Sequence, residues 1–500
     1  SHFQGMIGST NREQVMSKRT LRLHASLNVR VLVCGVAFVA CGLAPSTGNT
    51  VALSEDGRGQ VLLFPYYAAR DGFDTLISVV NTRSAPKAVK LSFYEGKRGE
   101  AVFRFNLYLS ANDIWTGAIT PGANGAAQLI SHDRSCTNPV VGVSPSEFSP
   151  LTPAYGNDGE ASDPSRTREG HIEVVEMGEI SGVVLPGTSN VRFDQAVTHA
   201  NGVPADCNAV VTATAPGGSL VQPAAPVNGL LAPTGGLTGG VSLINVAHGV
   251  DYSYNAIALT RFRSASLHSA PQEERPSLGD AEPRESWVFD EVGTLIRSTW
   301  YASGGNAADP VTAVLMTNGV LNEFVLDDTI NAATDWVLAM PTKRFYVGAA
   351  HADRPYSNLF GPGGSCEVTF LAQYDREERA ILGAIPPSAD PRFVQLCWST
   401  NVSSFNGSKA LGTSTLWSAG GVSTGFRNGG ASQQFVNQAL TADFPSIDFS
   451  RRRIVDDSSR AFIGWPVIGF GAQKYVNGNL GGVLANYGGT FAHAFVRALQ

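Results

Sequence analysis

The chain has 500 residues, among them 54 glycines and 27 prolines, and a formal net charge of −6. Charged residues are only 16% of it, under the usual quarter, which disfavours long solvated helices and favours strands joined by turns. The mild negative charge excludes nucleic acid as a partner, because phosphate recognition needs a basic stripe.

Residues 1–15 read as an upstream extension and 16–52 as a secretory signal peptide. Lys18, Arg19, Arg22 and Arg30 form a basic stretch, and Val31 to Ala44 is an apolar run about half as long as a bilayer-crossing helix needs. Thr50-Val51-Ala52 offers small residues for cleavage. Phe38-Val39-Ala40-Cys41 approximates a bacterial lipobox, which makes Cys41 the alternative site, for lipidation, and an outer-membrane anchor the alternative fate. The expected location is extracellular or at the cell surface, with the periplasm as the other compartment. No later apolar run is long enough for a transmembrane segment in the mature chain.

The mature chain reads as mainly β, with two β-sandwich-like domains, long loops and few short helices. Residues 53–213 are the expected N-terminal domain, 214–240 a Gly/Pro-rich linker and 241–500 a C-terminal β-rich domain. Val89 to Tyr94 and Phe103 to Leu109 alternate apolar with polar, so each is expected to be a half-buried strand, with Tyr94 and Tyr108 on the wet faces. Glu95 to Glu100 supplies the turn of a hairpin. Val61 to Tyr67 is another strand, which Pro65 places at an edge or ends. Thr75–Val80, Asp113–Ile119 and Gly170–Met177 continue the pattern, and 190–201 is the best short helix, with Phe193, Ala196 and Val197 on one face. Later strands are expected at Val241–Ala247, Tyr252–Leu259, Val311–Met316, Glu323–Leu326, Trp336–Met340, Phe345–Gly348, Glu367–Tyr374 and Phe462–Phe470. The charged, Pro-containing segment 264–285 reads as an exposed loop, and Arg451-Arg452-Arg453 as a solvated turn.

Beyond the signal region stand Cys136, Cys207, Cys366 and Cys397. An even number in an exported chain reads as disulfides, with three pairings allowed. Sequence proximity favours Cys136–Cys207 and Cys366–Cys397.

Four segments together carry a resemblance: DGRGQVLLFPYY (56–67), FNLYLSANDIWTGAI (105–119), TDWVLAMPTKRFYV (334–347) and VNGNLGGVLANYGGTF (476–491). The chain resembles an uncharacterised family of exported proteobacterial proteins with β-sandwich-like surface modules. The resemblance implies export and a shared architecture over most of 52–491, and no catalytic residues.

There is no P-loop, no G-x-G-x-x-G after a strand and no HExxH. The nine histidines are scattered, and His132, His171, His199, His248, His351 and His493 are the ones whose convergence would make a site. Glu173 and Glu176 fall on opposite strand faces and make a poor acid/base pair. Asn157, Asp158, Glu160 and Asp163 concentrate oxygen donors around Gly159 and form the calcium candidate, the only cofactor indicated. The expected role is a secreted or cell-surface structural, matrix or adhesive protein without catalytic activity, whose partner is another copy of the chain or a surface glycan. The alternatives are a carbohydrate- or ligand-binding envelope module and an extracellular hydrolase with dispersed carboxylates.

Overall fold

The computed structural model describes residues 50–500 except 153–157, 161, 219, 222–228, 303–304, 350–353, 381–391, 413–421, 437–451, 498 and 500. The signal region and Cys41 therefore lie outside the described residues. The chain is mainly β, with antiparallel pairing between its named strands and helices of at most eight residues. No helix among the described residues is long and apolar enough to cross a membrane.

A central sheet runs, in spatial order, Ala52–Leu53, Ile257–Thr260, Val61–Ala68, Glu169–Ile180, Lys87–Glu95, Ala101–Leu109 and Cys136–Asn138. An outer sheet runs Val250–Asn255, Leu237–Asn245, Phe73–Asn81, Ile114–Pro121, Ala127–Ile130 and Ser146–Glu147. The inward side chains of both, including Phe93, Phe105, Trp115 and Leu243, form one apolar layer. Alternation decides which residues those are, as in Phe73–Asn81, where every second side chain is buried.

The stretch 214–240 does not separate the sheets. Leu237–Asn245 pairs with Phe73–Asn81 along nine residues, and Ile257–Thr260 pairs with Val61–Ala68. Strands beyond the expected linker thus complete the sheets begun before it. A third sheet, built on Glu367–Asp375, Asn428–Gln434 and Gly319–Val325, faces a fourth, built on Thr400–Ser404, Ala333–Ala339, Ile468–Leu480 and Val483–Ala492. The fourth sheet's strand Ala333–Ala339 is buried on both sides: Trp336 and Leu338 face the third sheet's core, while Ala333 and Val337, with Phe470 from the neighbouring strand, join the core of the first two. Residues from 48 onward form a single compact unit.

Several local expectations are corrected. Tyr94 and Tyr108 are buried, not wet, because the second face of the central sheet is also covered. Tyr108 packs on Phe193 from the helix Phe193–Val197, and its hydroxyl meets His268 Nε2 at 3.0 Å. Segment 264–285 is the cover: Leu267, His268, Ser269, Ala270 and Leu278 are buried against that face. Val61–Ala68 is interior, not an edge, and Pro65 sits where its pairing with Glu169–Ile180 slips register between Gly170 and Ile172. A bulge needs no N–H there, which is how proline is accommodated. On the opposite strand a Cβ at Gly170 would lie 1.8 Å from the Tyr94 carbonyl oxygen. Two expected strands are helices, Asp309–Leu315 and Arg344–Val347. Pro310 in the first turn and burial of every position override the β-branched run in the former. Arg452 is fully buried, with Nη2 3.0 Å from Glu367 and its guanidinium over Trp465 at 4.6 Å, so this residue of the basic run is not solvated.

Candidate functional site: an open groove on the outer sheet

The predicted site residues go to separate places. Cys136 is bonded to Cys207 and Cys366 to Cys397. The first bond ties the edge of the central sheet to the helix Cys207–Thr214. The three described residues of the calcium candidate do not converge, and Asn157 lies outside the described residues. Buried Asp158 is paired with Arg166, which also holds Glu95 at 2.8 Å. Glu160 pairs with Lys97 and accepts the Gly363 N–H at 2.7 Å. Asp163 accepts the Ser165 N–H at 2.7 Å and caps the short helix Pro164–Arg168. A buried guanidinium demands carboxylate partners, and Arg166 takes both Asp158 and Glu95. Among the described residues no group of three His, Cys, Asp or Glu is placed to hold a metal ion. The histidines are dispersed too: His132 and His248 are exposed, His171 is stacked on Tyr94, and His493 packs on Trp336, while His351 lies outside the described residues.

What the alternation rule hid is a buried polar layer on the covered face of the central sheet. Lys90 Nζ donates to Ser269 Oγ at 2.6 Å and to the carbonyls of Ala270 and Glu273 at 2.7 and 2.9 Å. Asn106 Nδ2 donates to the Ser269 carbonyl at 2.9 Å. Glu173 receives Arg344 Nη1 and Nη2 at 2.6 and 3.0 Å, and Arg344 lies 4.1 Å over the Tyr94 ring. Glu176 takes the Lys87 ammonium at 2.6 Å on the opposite face. Burial, reinforced by Arg104, pushes the Lys90 ammonium down to about 7. Burial raises the Glu169 carboxyl to about 7 against the opposing pull of Arg70. These groups are spent on joining segments to the sheet. Their types and spacing match those of a wet strand face, so only the fold distinguishes them.

A recess lies on the opposite, uncovered side of the outer sheet. It is an open groove of about 890 Å3. Strand alternation points Leu76, Ser78, Thr116, Ala118, Ser242 and Ser253 into it. Gly117 faces the other way, into the apolar layer, where a Cβ would meet the Trp115 ring at 2.7 Å. His132 is the single imidazole of the lining, and no carboxylate, lysine or arginine lines it. Tyr254, the one aromatic residue of the lining, is committed elsewhere, with its hydroxyl on the Tyr66 carbonyl and its ring stacked on Phe470 at 4.7 Å. Hydroxyls and aliphatic groups on a rigid sheet can bind by shape and hydrogen bonding. The signal for the groove in sequence is the run of small residues at every second position, Gly240 and Ser242 beside Ser78 and Thr116, which also reads as an ordinary solvated face.

No family model, curated protein or solved structure matches this chain.

Proposed function

We propose that the chain is an exported structural, matrix or adhesive protein of the cell surface, without catalytic activity, and that it makes contact through the outer-sheet groove. The observation that carries this reading is the lining itself: an open, nearly uncharged sheet face of hydroxyl and aliphatic side chains. Such a face suits another extended surface of the same kind. Low charge density favours self-association in the same sense. The two disulfides fit an oxidising compartment. The glycan alternative draws less support from this groove, because sugar stacking needs a free aromatic face and Tyr254 offers none.

The test is light scattering of the exported chain across a concentration series, beside the double variant Thr116→Arg/Ser242→Arg. Association that grows with concentration and is lost in the double variant is expected. A wild-type chain that stays monomeric at every concentration would sink self-association through this face. The side chains at both positions point outward from the sheet, so the variants leave its apolar layer intact.

A further inference from the structure

A second recess, of about 450 Å3, opens beside the hairpin Glu285–Phe289 and Leu295–Thr299. Trp287, Phe289 and Leu295 give it an aromatic and aliphatic wall, and Arg261 stands at its mouth. A smaller space of about 200 Å3 shares Leu53, Val314 and Arg497 with it as a common wall. The inner lining is dominated by Ile257, Leu315, Val320, Ile468 and Phe495. His493 also reaches it, and burial pushes that imidazole down to about 4, so it is neutral there. The inner space is therefore mainly apolar, and the outer recess carries the charged groups, Arg261 among them.

Two donors at the entrance stand out, Arg261 and Trp287. Arg261 has a positive φ of 56°, an uncommon conformation for a residue with a side chain. That turn brings its guanidinium 4.8 Å from the Trp287 ring. Among the described residues Arg261 has no carboxylate at ion-pair distance. Trp287 Nε1 is sheltered from solvent and has no hydrogen-bond partner. Arg497 is buried and donates to three carbonyls, those of Val314, Phe289 and Met316 at 2.8, 3.1 and 3.1 Å, rather than to a carboxylate. Two acids line the entrance, Glu55 and Asp56. Asp56 is neutralised by Arg58 at 2.6 Å. With Asp56 held by Arg58 and Arg497 by carbonyls, Arg261 and Glu55 are the lining charges without an ion pair among the described residues.

We propose that this two-part recess binds a single-chain carboxylate amphiphile, its head group on Arg261 and the Trp287 indole N–H and its tail running past Leu53 and Val314 into the apolar space. Recesses of this size and lining hold small ligands in many proteins. The indole at the entrance makes binding visible by fluorescence.

The test is titration of the full chain with hexanoate, octanoate and decanoate, below their micelle concentrations, by calorimetry and tryptophan fluorescence. Saturable binding is expected, tightening by up to about fourfold for each added methylene that enters the apolar space. Arg261→Gln is expected to weaken decanoate at least tenfold. Arg261 is exposed, so that variant folds and keeps the test decisive. Leu53→Trp, which fills the shared wall, is expected to remove the chain-length dependence. The proposal is overturned if decanoate does not saturate, if Arg261→Gln binds it as tightly as wild type, or if decyltrimethylammonium binds equally well.

Discussion

Lys90 carries the strongest consequence at the level of single residues. Its folded pKa, about 7, lies far below the ordinary lysine value of about 10.4. Between those values the unfolded chain holds more protons than the folded one, so stability rises with pH across that window. Lys343, also pushed down to about 7 by burial, acts in the same direction. Glu169 and Asp335 act oppositely: burial raises them to about 7 and about 6. The folded chain then holds the extra protons below neutrality, and stability falls as pH climbs from about 4.5 towards 7. Buried His268 and His493, pushed down to about 3 and about 4, oppose that fall, because the unfolded imidazoles take up protons near pH 6.5. The expected outcome is therefore read on the alkaline side, as a urea midpoint that rises from about pH 7 towards pH 10. Lys90→Met should lower stability by about 1–3 kcal/mol, by stranding the Ala270 and Glu273 carbonyls. It should also remove roughly half of the alkaline rise, leaving the part that belongs to Lys343. An alkaline limb unchanged in that variant would show that Lys90 keeps an ordinary pKa.

Among elements, period-two alternation found most strands of the first half, but it cannot reveal what covers the second face. Val89 to Tyr94 and Phe103 to Leu109 were legible as strands from the sequence, and their polar positions were read as wet. In the fold those positions lie under 264–285, where Lys90, Asn106 and Tyr108 hold it by hydrogen bonds. A polar side chain facing water and one facing a backbone carbonyl look alike in one dimension. Pro65 misled for a related reason, since a register slip is a property of two strands and only one was being read. The cysteine pairs were legible because nearness in sequence and nearness in space coincide for them. The groove was not, because small residues on a sheet face have no chemistry of their own. The Cys136–Cys207 bond closes a separation of 71 residues, and replacing both cysteines by serine should cost about 4 kcal/mol by the loop-entropy relation. Guanidinium unfolding of the double variant measures this. A cost below about 1 kcal/mol would mean that the helix Cys207–Thr214 is held by packing alone.

For the whole molecule, the apolar cluster that fills the first two sheets also contains Ala333, Val337, Val402 and Phe470 from the fourth. Two halves that share side chains in one core cannot melt separately without exposing that layer. Calorimetry should therefore show a single transition at neutral pH with both disulfides intact. Two resolved peaks would restore the picture of independent domains. The return of Leu237–Asn245 and Ile257–Thr260 to the first sheets has a bearing on the order in which the protein can be made. Until residue 260 is available, Phe73–Asn81 lacks a neighbour on one side and Val61–Ala68 lacks another. Pairings so distant along the chain form slowly. Residue 260 must emerge before the first two sheets can close, so the nascent chain stays open and threadable until that point.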